Sequence, residues 1–243
     1  KDTKEKTVWK KYGNYIFGAH TILVIGVCVT LFTIIFNHYF EYHYAWDNTS
    51  WSLTLGYAIS CFWQDQEGSF LLWIFWNAIV GCVLIFQFQN KSKHSALAAP
   101  SLMIVAGIQA FLTSMILGVV FFSSYKIGNT PFLTLQEFNP TAPIWSMNPG
   151  FIPKDGNGLN PLLQNYWMVI HPPTLFLGFS LTMVPFAFAI ASLWKKEYNN
   201  WLSITLPWAL LASVVLGTGI IMGGVWAYET LNFGGYWNWD PVE

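Results

Sequence analysis

The carboxyl-terminal segment, residues 226–243, concentrates aromatic side chains around a pair of glycines. The six rings are those of Trp226, Tyr228, Phe233, Tyr236, Trp237 and Trp239. Gly234 and Gly235 allow the backbone to approach a flat ligand closely, and the rings supply stacking surfaces and indole N–H donors. This composition favours binding of a large planar amphiphile, of which haem is the obvious biological example.

His171 is the second candidate, in the sequence Val-Ile-His-Pro-Pro-Thr. Two prolines after it suit a helix start and would fix the direction of the imidazole. The positive end of a helix dipole disfavours imidazolium, which keeps the ring neutral and able to bind a metal. His171 is therefore a candidate metal ligand on the same side as the aromatic segment. Two alternatives stay open. His171 could be a lone interfacial histidine that binds no metal, and the rings could form an aromatic belt, since Trp and Tyr collect at membrane interfaces without any ligand.

The elements that position these residues are predicted to be membrane-spanning helices. The chain of 243 residues is 54% hydrophobic and only 9% charged, far from the composition of soluble domains. A span needs about 20 mostly apolar residues. Five uncharged runs qualify: Tyr15 to Phe36, Phe70 to Phe88, Leu102 to Phe122, Thr174 to Trp194 and Ile204 to Val225. The predicted fold class is an all-α polytopic membrane protein with five transmembrane helices and long outer-face loops.

Lysine placement predicts the orientation, because membrane proteins keep lysine on the cytoplasmic or matrix side. Nine of the 11 lysines fall on one side, and only Lys126 and Lys154 fall on the other. With the acidic residues included, the lysine side carries +6 and the opposite side −7. The predicted divisions are a lysine-rich terminus (1–14), helices one to three (15–123) with an outer loop (37–69), an outer loop ending in the His-Pro-Pro segment (124–173), helices four and five (174–225), and the haem-platform segment (226–243).

Polar residues inside predicted spans are functional candidates because they are costly there. His20, Asn77 and Gln109 qualify, and interhelical hydrogen bonding is the alternative for each. The isolated cysteines, Cys28, Cys61 and Cys82, form no Cys-x-x-Cys pair, so the chain is not itself a c-type cytochrome. Near-neutral net charge argues against nucleic-acid binding, and no triad or paired carboxylates indicate hydrolysis.

Three separated motifs resemble one known family. Gly234-Gly235 followed by Trp237-Asn238-Trp239-Asp240 resembles the tryptophan-rich WWD motif of haem-handling proteins. The ending Asp-Pro-Val-Glu, the His-Pro-Pro segment at His171 and a Trp-x-x-x-Glu-Gly-Ser segment containing Trp63, Glu67 and Ser69 are similar to the CcmF family, the haem lyases of the cytochrome c maturation system. The resemblance runs from about residue 40 to the end, in the family's order.

The resemblance implies a protein that takes haem from a haem chaperone and helps to join its vinyl groups to the thiols of apocytochrome c. It makes His171 an external haem ligand, assigns Trp226, Trp237, Trp239 and Asp240 to the haem platform, and implies thiol-reducing subunits as partners. Tyr228, Gly234 and Gly235 are further haem-binding candidates from the composition of the segment. No catalytic residue is assigned, and helix start and packing are the expected roles of Glu67 and Ser69. Phe233 departs from the family's Trp.

The family's second external histidine and two intramembrane histidines are expected after the platform segment, so either the sequence is partial or a second polypeptide carries them. The absence of arginine suggests organelle coding, and the predicted location is the mitochondrial inner membrane, with the bacterial plasma membrane as the alternative. The haem site would face the intermembrane space or periplasm. Two other functions remain open: a haem transporter or chaperone-loading protein that shares the platform, and a structural subunit of a respiratory assembly.

Overall fold

The computed structural model describes residues 2–90, 95–121, 125–199, 201–231 and 235. Five long helices and several short elements make up this part of the chain. In chain order they are α1 (Asp2–Phe36), α2 (His43–Asn48), α3 (Leu55–Ser60), a 3-10 turn (Cys61–Trp63), α4 (Gln66–Asn90), α5 (Ser95–Ser114), β1 (Val119–Phe121), β2 (Tyr125–Ile127), α6 (Leu135–Phe138), α7 (Ile144–Met147), a second 3-10 turn (Pro161–Leu163), α8 (Tyr166–Lys195) and α9 (Trp201–Thr230).

The five long helices, α1, α4, α5, α8 and α9, are each long and apolar enough to cross a membrane. This confirms an all-α polytopic membrane protein. The only sheet among the described residues is the antiparallel pair β1 and β2. Long uncharged runs become helices in an apolar solvent because a helix satisfies all its backbone hydrogen bonds internally.

The third predicted span was wrong at both ends. Its helix, α5, begins at Ser95 and stops at Ser114, whereas the uncharged run continues to Phe122. Gly118 has a φ of +62°, a left-handed conformation that glycine adopts without strain, and Val119 then opens a strand. Hydropathy alone does not distinguish the end of an apolar helix from a short apolar strand.

The chain forms two compact units. The first comprises residues 1–27, 72–113 and 174–219. Its core is a cluster of interlocking apolar side chains from the five long helices, with Leu84, Val105, Val184 and Phe188 fully buried. Within this unit Gly178 lies directly against Leu216, and Gly219 against Leu175, so that α8 and α9 approach backbone to backbone. Small residues allow such packing between membrane helices.

Two of the polar candidates in the first unit are linked to each other. The Gln109 amide lies 3.0 Å from His20 Nε2 and donates to the Ile74 carbonyl at 2.9 Å. Asn77 is fully buried, and neither of its side-chain polar atoms has a hydrogen-bond partner within the described part of the chain. The interhelical hydrogen bond that was the alternative for His20 and Gln109 is therefore present, whereas none accounts for Asn77.

The second unit comprises residues 28–71, 114–173 and 220–243, and so gathers the segments for which the sequence predicts the outer side. Its two long loops are bonded together. Asn157 donates from its backbone to the Trp46 carbonyl at 2.7 Å and from its side chain to Asp47 at 2.9 Å. The backbone N–H of His43 donates to the Leu133 carbonyl at 2.8 Å. Burial raises the pKa of the Cys61 thiol to about 12, so it stays protonated and serves packing.

Gly68 allows the start of α4 to meet the 3-10 turn in this unit. A Cβ at this position would overlap the Phe62 carbonyl oxygen and the Tyr44 hydroxyl. We predict that Gly68→Ala lowers the free energy of unfolding by about 1–3 kcal/mol, because overpacking at a rigid backbone forces atoms apart. Gly56→Ala is the matched control, since a Cβ there meets no atom within 4 Å. Thermal unfolding in detergent would compare them; equal melting temperatures would contradict the prediction.

Candidate functional site

The helix that carries His171 begins earlier than predicted. Asn165 caps α8 by accepting a hydrogen bond from the backbone N–H of Trp167 at 2.9 Å. His171, Pro172 and Pro173 consequently lie inside α8, in its second turn, and the expectation of a helix start at the prolines was wrong. The Asn165 cap sets the start of α8, and the helix continues through both prolines although each lacks an N–H group. The helix dipole acts mainly within the first turn, so it gives little support to a neutral imidazole here.

The aromatic segment also begins inside a helix. α9 runs to Thr230, so Trp226 and Tyr228 lie in its last two turns instead of following the span. No glycine or proline interrupts the chain between Val225 and Thr230, which explains the longer helix. Trp226 is half-buried, whereas Tyr228 is 51% exposed.

Hydrogen bonds join the start of α8 to the end of α9. The Asn165 amide donates to Glu229 at 3.1 Å and lies 3.4 Å from the Thr230 hydroxyl. The Trp226 indole N–H donates to the Leu162 carbonyl at 3.2 Å, in the turn before α8. These contacts fix the two helix ends against each other within the second unit.

The His171 ring lies against the bare backbone of Gly223. A Cβ on this buried glycine would be 2.7 Å from His171 Cε1, 3.1 Å from Nε2 and 3.3 Å from Nδ1. The absence of a side chain at residue 223 therefore makes the space that the imidazole occupies. Trp226 follows Gly223 by three residues on α9, so it lies on the neighbouring turn of the same helix face. The structure thus brings His171 close to the first residue of the aromatic segment.

Most of the remaining platform residues lie in a segment that the structure does not describe. Gly234, Trp237, Trp239 and Asp240 lie outside the described residues. Gly235 is described, as a bend in the backbone. The predicted roles of these five residues in haem binding stay predictions.

The Trp-x-x-x-Glu-Gly-Ser segment forms a second group of contacts in this unit. The Ser69 hydroxyl donates to the Trp63 carbonyl at 2.8 Å, and the Tyr44 hydroxyl donates to the Phe62 carbonyl at 2.8 Å. Burial, reinforced by the charge of Asp65, raises the pKa of the Tyr44 phenol, which keeps it protonated as a donor. Ser69 therefore joins the start of α4 to the end of the 3-10 turn.

Glu67 instead lines a cavity of about 240 Å³ in the second unit. Lys126 and Asn129 also line this cavity, as do Phe70 and Met115. The two polar side chains of the motif therefore have different surroundings: Glu67 lines the cavity, whereas the Ser69 hydroxyl donates to the Trp63 carbonyl.

The donor set at His171 suits a porphyrin-bound iron better than a bare metal ion. Among the described residues, no group of three or more His, Cys, Asp or Glu side chains is placed to hold a metal ion. Haem iron receives four nitrogen ligands from its porphyrin and needs only one or two from protein, for which a single imidazole suffices. The space over Gly223 accommodates that imidazole, and the half-buried Trp226 ring supplies an aromatic surface one turn away.

Sequence reasoning missed Gly223 and the side-chain contact made by Trp63. The Gly219-x-x-x-Gly223 spacing was an available signal, since small residues four apart line one face of a membrane helix. For Trp63 the signal was indirect: Pro172 lacks an N–H, so the carbonyl of Met168, four residues earlier, requires another donor.

Comparison with known proteins extends the resemblance. The family model described as "Cytochrome C assembly protein" matches residues 63–243. The chain is 36% identical over 205 residues to the cytochrome c-type biogenesis protein CcmF of Haemophilus influenzae, covering 84% of this chain and 28% of that protein. It is 33% identical over 230 residues to CcmF of Escherichia coli, covering 94% of this chain and 30% of that protein.

A solved structure shares the fold. The chain titled "Cytochrome c Heme Lyase CcmF" matches with a TM-score of 0.69 and 23% identity, over 95% of this chain and 32% of that chain. This protein therefore spans about 30% of the length of the relatives that it matches. Since the family model covers most of the sequence, the chain belongs to the cytochrome C assembly protein family.

Proposed function

We propose that this chain forms the amino-terminal part of a cytochrome c haem lyase and holds haem on the outer side of the membrane. The observation that supports the proposal is the packing of the His171 ring against Gly223, one turn from Trp226. It lies where hydrogen bonds join the start of α8 to the end of α9. The relatives are named for cytochrome c-type biogenesis, and the structural relative for haem lyase activity.

In this proposal haem is the substrate and His171 ligates its iron. The imidazole fixes the distance of the porphyrin from α8, and Trp226 contacts the porphyrin face or edge. Trp237, Trp239 and Asp240 complete the platform, with Tyr228 and the Gly234-Gly235 pair. Because the porphyrin is held in one orientation, its vinyl groups meet the thiols of apocytochrome c in a reactive geometry. This positioning accelerates the reaction without an acid or base from the protein.

The reaction is the addition of a cysteine thiol across a vinyl double bond. The sulfur bonds to the vinyl carbon next to the ring, and the thiol hydrogen is added to the terminal carbon, so no net oxidation occurs. The thiols must be reduced beforehand, which is the role of the thiol-reducing partner subunits. The buried Cys61 thiol, with its raised pKa, is unsuited to thiol–disulfide exchange.

A chaperone assay tests the proposal. The full complex in membrane vesicles would be mixed with a haem-loaded chaperone, with and without apocytochrome c. We expect haem to transfer and thioether-linked haem c to form only when apocytochrome is present. Release from the chaperone without thioether formation would contradict a lyase and favour a haem transporter.

The membrane in which the protein works is part of the same proposal. The composition without arginine favours the mitochondrial inner membrane, although the two CcmF relatives described above are bacterial. In either membrane the lysine-rich segments face the matrix or cytoplasm, and the haem site faces the intermembrane space or periplasm.

A further inference from the structure

Pro172 leaves a backbone carbonyl in α8 without its helical donor. In an α-helix the N–H of residue i donates to the carbonyl of residue i−4, so the partner of the Met168 carbonyl would be residue 172. Proline has no N–H. A carbonyl left unpaired away from water costs about 1–3 kcal/mol, so a substitute donor is expected.

The substitute donor is Trp63. Its indole N–H donates to the Met168 carbonyl at 3.0 Å, and its side chain is only 7% exposed. The two residues are separated by 105 positions in the sequence. This hydrogen bond ties the Trp-x-x-x-Glu-Gly-Ser segment to the turn of α8 that leads into His171.

The backbone of the 3-10 turn that carries Trp63 is held by several contacts within the second unit. The Ser69 hydroxyl donates to its backbone carbonyl, and Tyr44 donates to the carbonyls of Phe62 and Cys61, at 2.8 and 3.1 Å. The Phe62 ring stacks on Phe32 with centroids 4.3 Å apart. A donor that projects from a turn fixed in this way restricts the position of the carbonyl that it contacts.

His171 lies three residues after Met168, on the neighbouring turn of the same helix face. Because Pro172 and Pro173 remove two successive helical hydrogen bonds, the turn that carries His171 has fewer internal restraints than ordinary helix. We propose that Trp63 is a positioning residue for His171, because its indole N–H binds the carbonyl freed by Pro172 and so fixes the helix turn from which the imidazole projects. This inference rests on the proposed function, in which His171 ligates haem.

A double-mutant cycle between Trp63 and Pro172 tests the inference. Trp63→Phe keeps the ring but removes the donor, while Pro172→Ala restores a backbone N–H that can bond to the Met168 carbonyl. The four proteins would be compared as full complexes in membranes. The measurements are the yield of thioether-linked haem c per molecule of accumulated protein and the reduction potential of the bound haem.

We expect Trp63→Phe alone to lower the haem c yield about tenfold and to shift the haem potential, consistent with loss of one buried hydrogen bond. In the Pro172→Ala background the same substitution should change the yield by less than about twofold, because the restored N–H replaces the indole. Equal losses in both backgrounds, or no loss in either, would overturn the inference.

Trp76→Phe is the matched control. The Trp76 indole N–H is buried and has no hydrogen-bond partner within the described residues, so its removal should leave yield and potential unchanged. Ser69→Ala guards against failure of Trp63→Phe to accumulate. Losing the Ser69 hydrogen bond to the Trp63 carbonyl should shift the haem potential in the same direction by a smaller amount, and an unchanged potential would contradict the inference.

His171→Ala separates this inference from the proposed function. If this variant retains the wild-type haem potential, His171 is not a ligand and the proposed function fails. If it changes the potential while Trp63→Phe does not, the proposed function stands and the positioning role of Trp63 is wrong.

Discussion

His171→Ala is expected to lower the yield of thioether-linked haem c at least about a hundredfold, since even outer partners of metal ligands are worth about ten- to hundredfold. The imidazole is the group that the structure places in the space over Gly223, next to the turn that carries Trp226. Its removal leaves the aromatic surface intact and deletes the proposed iron ligand, so haem would lose its fixed orientation. Haem c formed on a reporter apocytochrome would be measured against the amount of variant in the membrane.

His43→Ala is the matched control for this substitution. His43 is another half-buried histidine of the second unit, with its ring stacked on Phe138 at a centroid distance of 3.6 Å. We expect wild-type yield from this variant. A further substitution, His171→Gly, leaves a space that free imidazole can enter, and added imidazole should restore part of the yield. Equal yields from His171→Ala and His43→Ala would contradict a ligand role for His171.

Gly223→Ala is expected to lower the haem c yield about ten- to hundredfold, because small misplacement of a positioned group has effects of this size. The new Cβ would lie 2.7 Å from His171 Cε1, closer than atoms in contact allow. The imidazole must rotate or move away from α9, although every candidate ligand remains present. The yield would be measured with the same reporter, and the haem spectrum should change with it.

Gly217→Ala separates displacement of His171 from a general effect of removing a glycine from α9. A Cβ at residue 217 meets no atom within 4 Å, and alanine has the higher helix propensity. This variant should therefore retain the wild-type yield and spectrum. If Gly223→Ala also retained both, the space over Gly223 would not be the seat of the ligand.

The spans were predictable from the sequence, whereas several of their ends were not. Uncharged runs of sufficient length locate all five membrane helices because the apolar solvent leaves few other structures for them. The end of α5 at Ser114 depends on the left-handed conformation of Gly118 and on the pairing of β1 with β2. A hydropathy pattern carries no information about either feature. The start of α8 depends on the Asn165 cap, a local signal that the adjacent prolines obscured.

The candidate site was predictable as a set of residue types and not as a geometry. His171 and Trp226 were singled out because an imidazole and clustered aromatic rings suit a planar metal-containing ligand. The seat on Gly223 and the hydrogen bond from Trp63 arise from pairs that are distant in sequence, and packing alone brings them together. A single sequence carries little information about such pairs.

Binding of haem iron by His171 underlies both the proposed function and the role of Trp63. Its most direct test is the resonance Raman spectrum of the reduced haem complex, prepared with the ring nitrogens of histidine labelled with ¹⁵N. We predict that His171→Gly alters the isotope-sensitive iron–imidazole bands of the wild-type complex, and that unlabelled imidazole restores the wild-type pattern with a smaller isotope shift. Iron–imidazole bands in His171→Gly that are identical to those of the wild type, without added imidazole, would show that His171 is not a ligand.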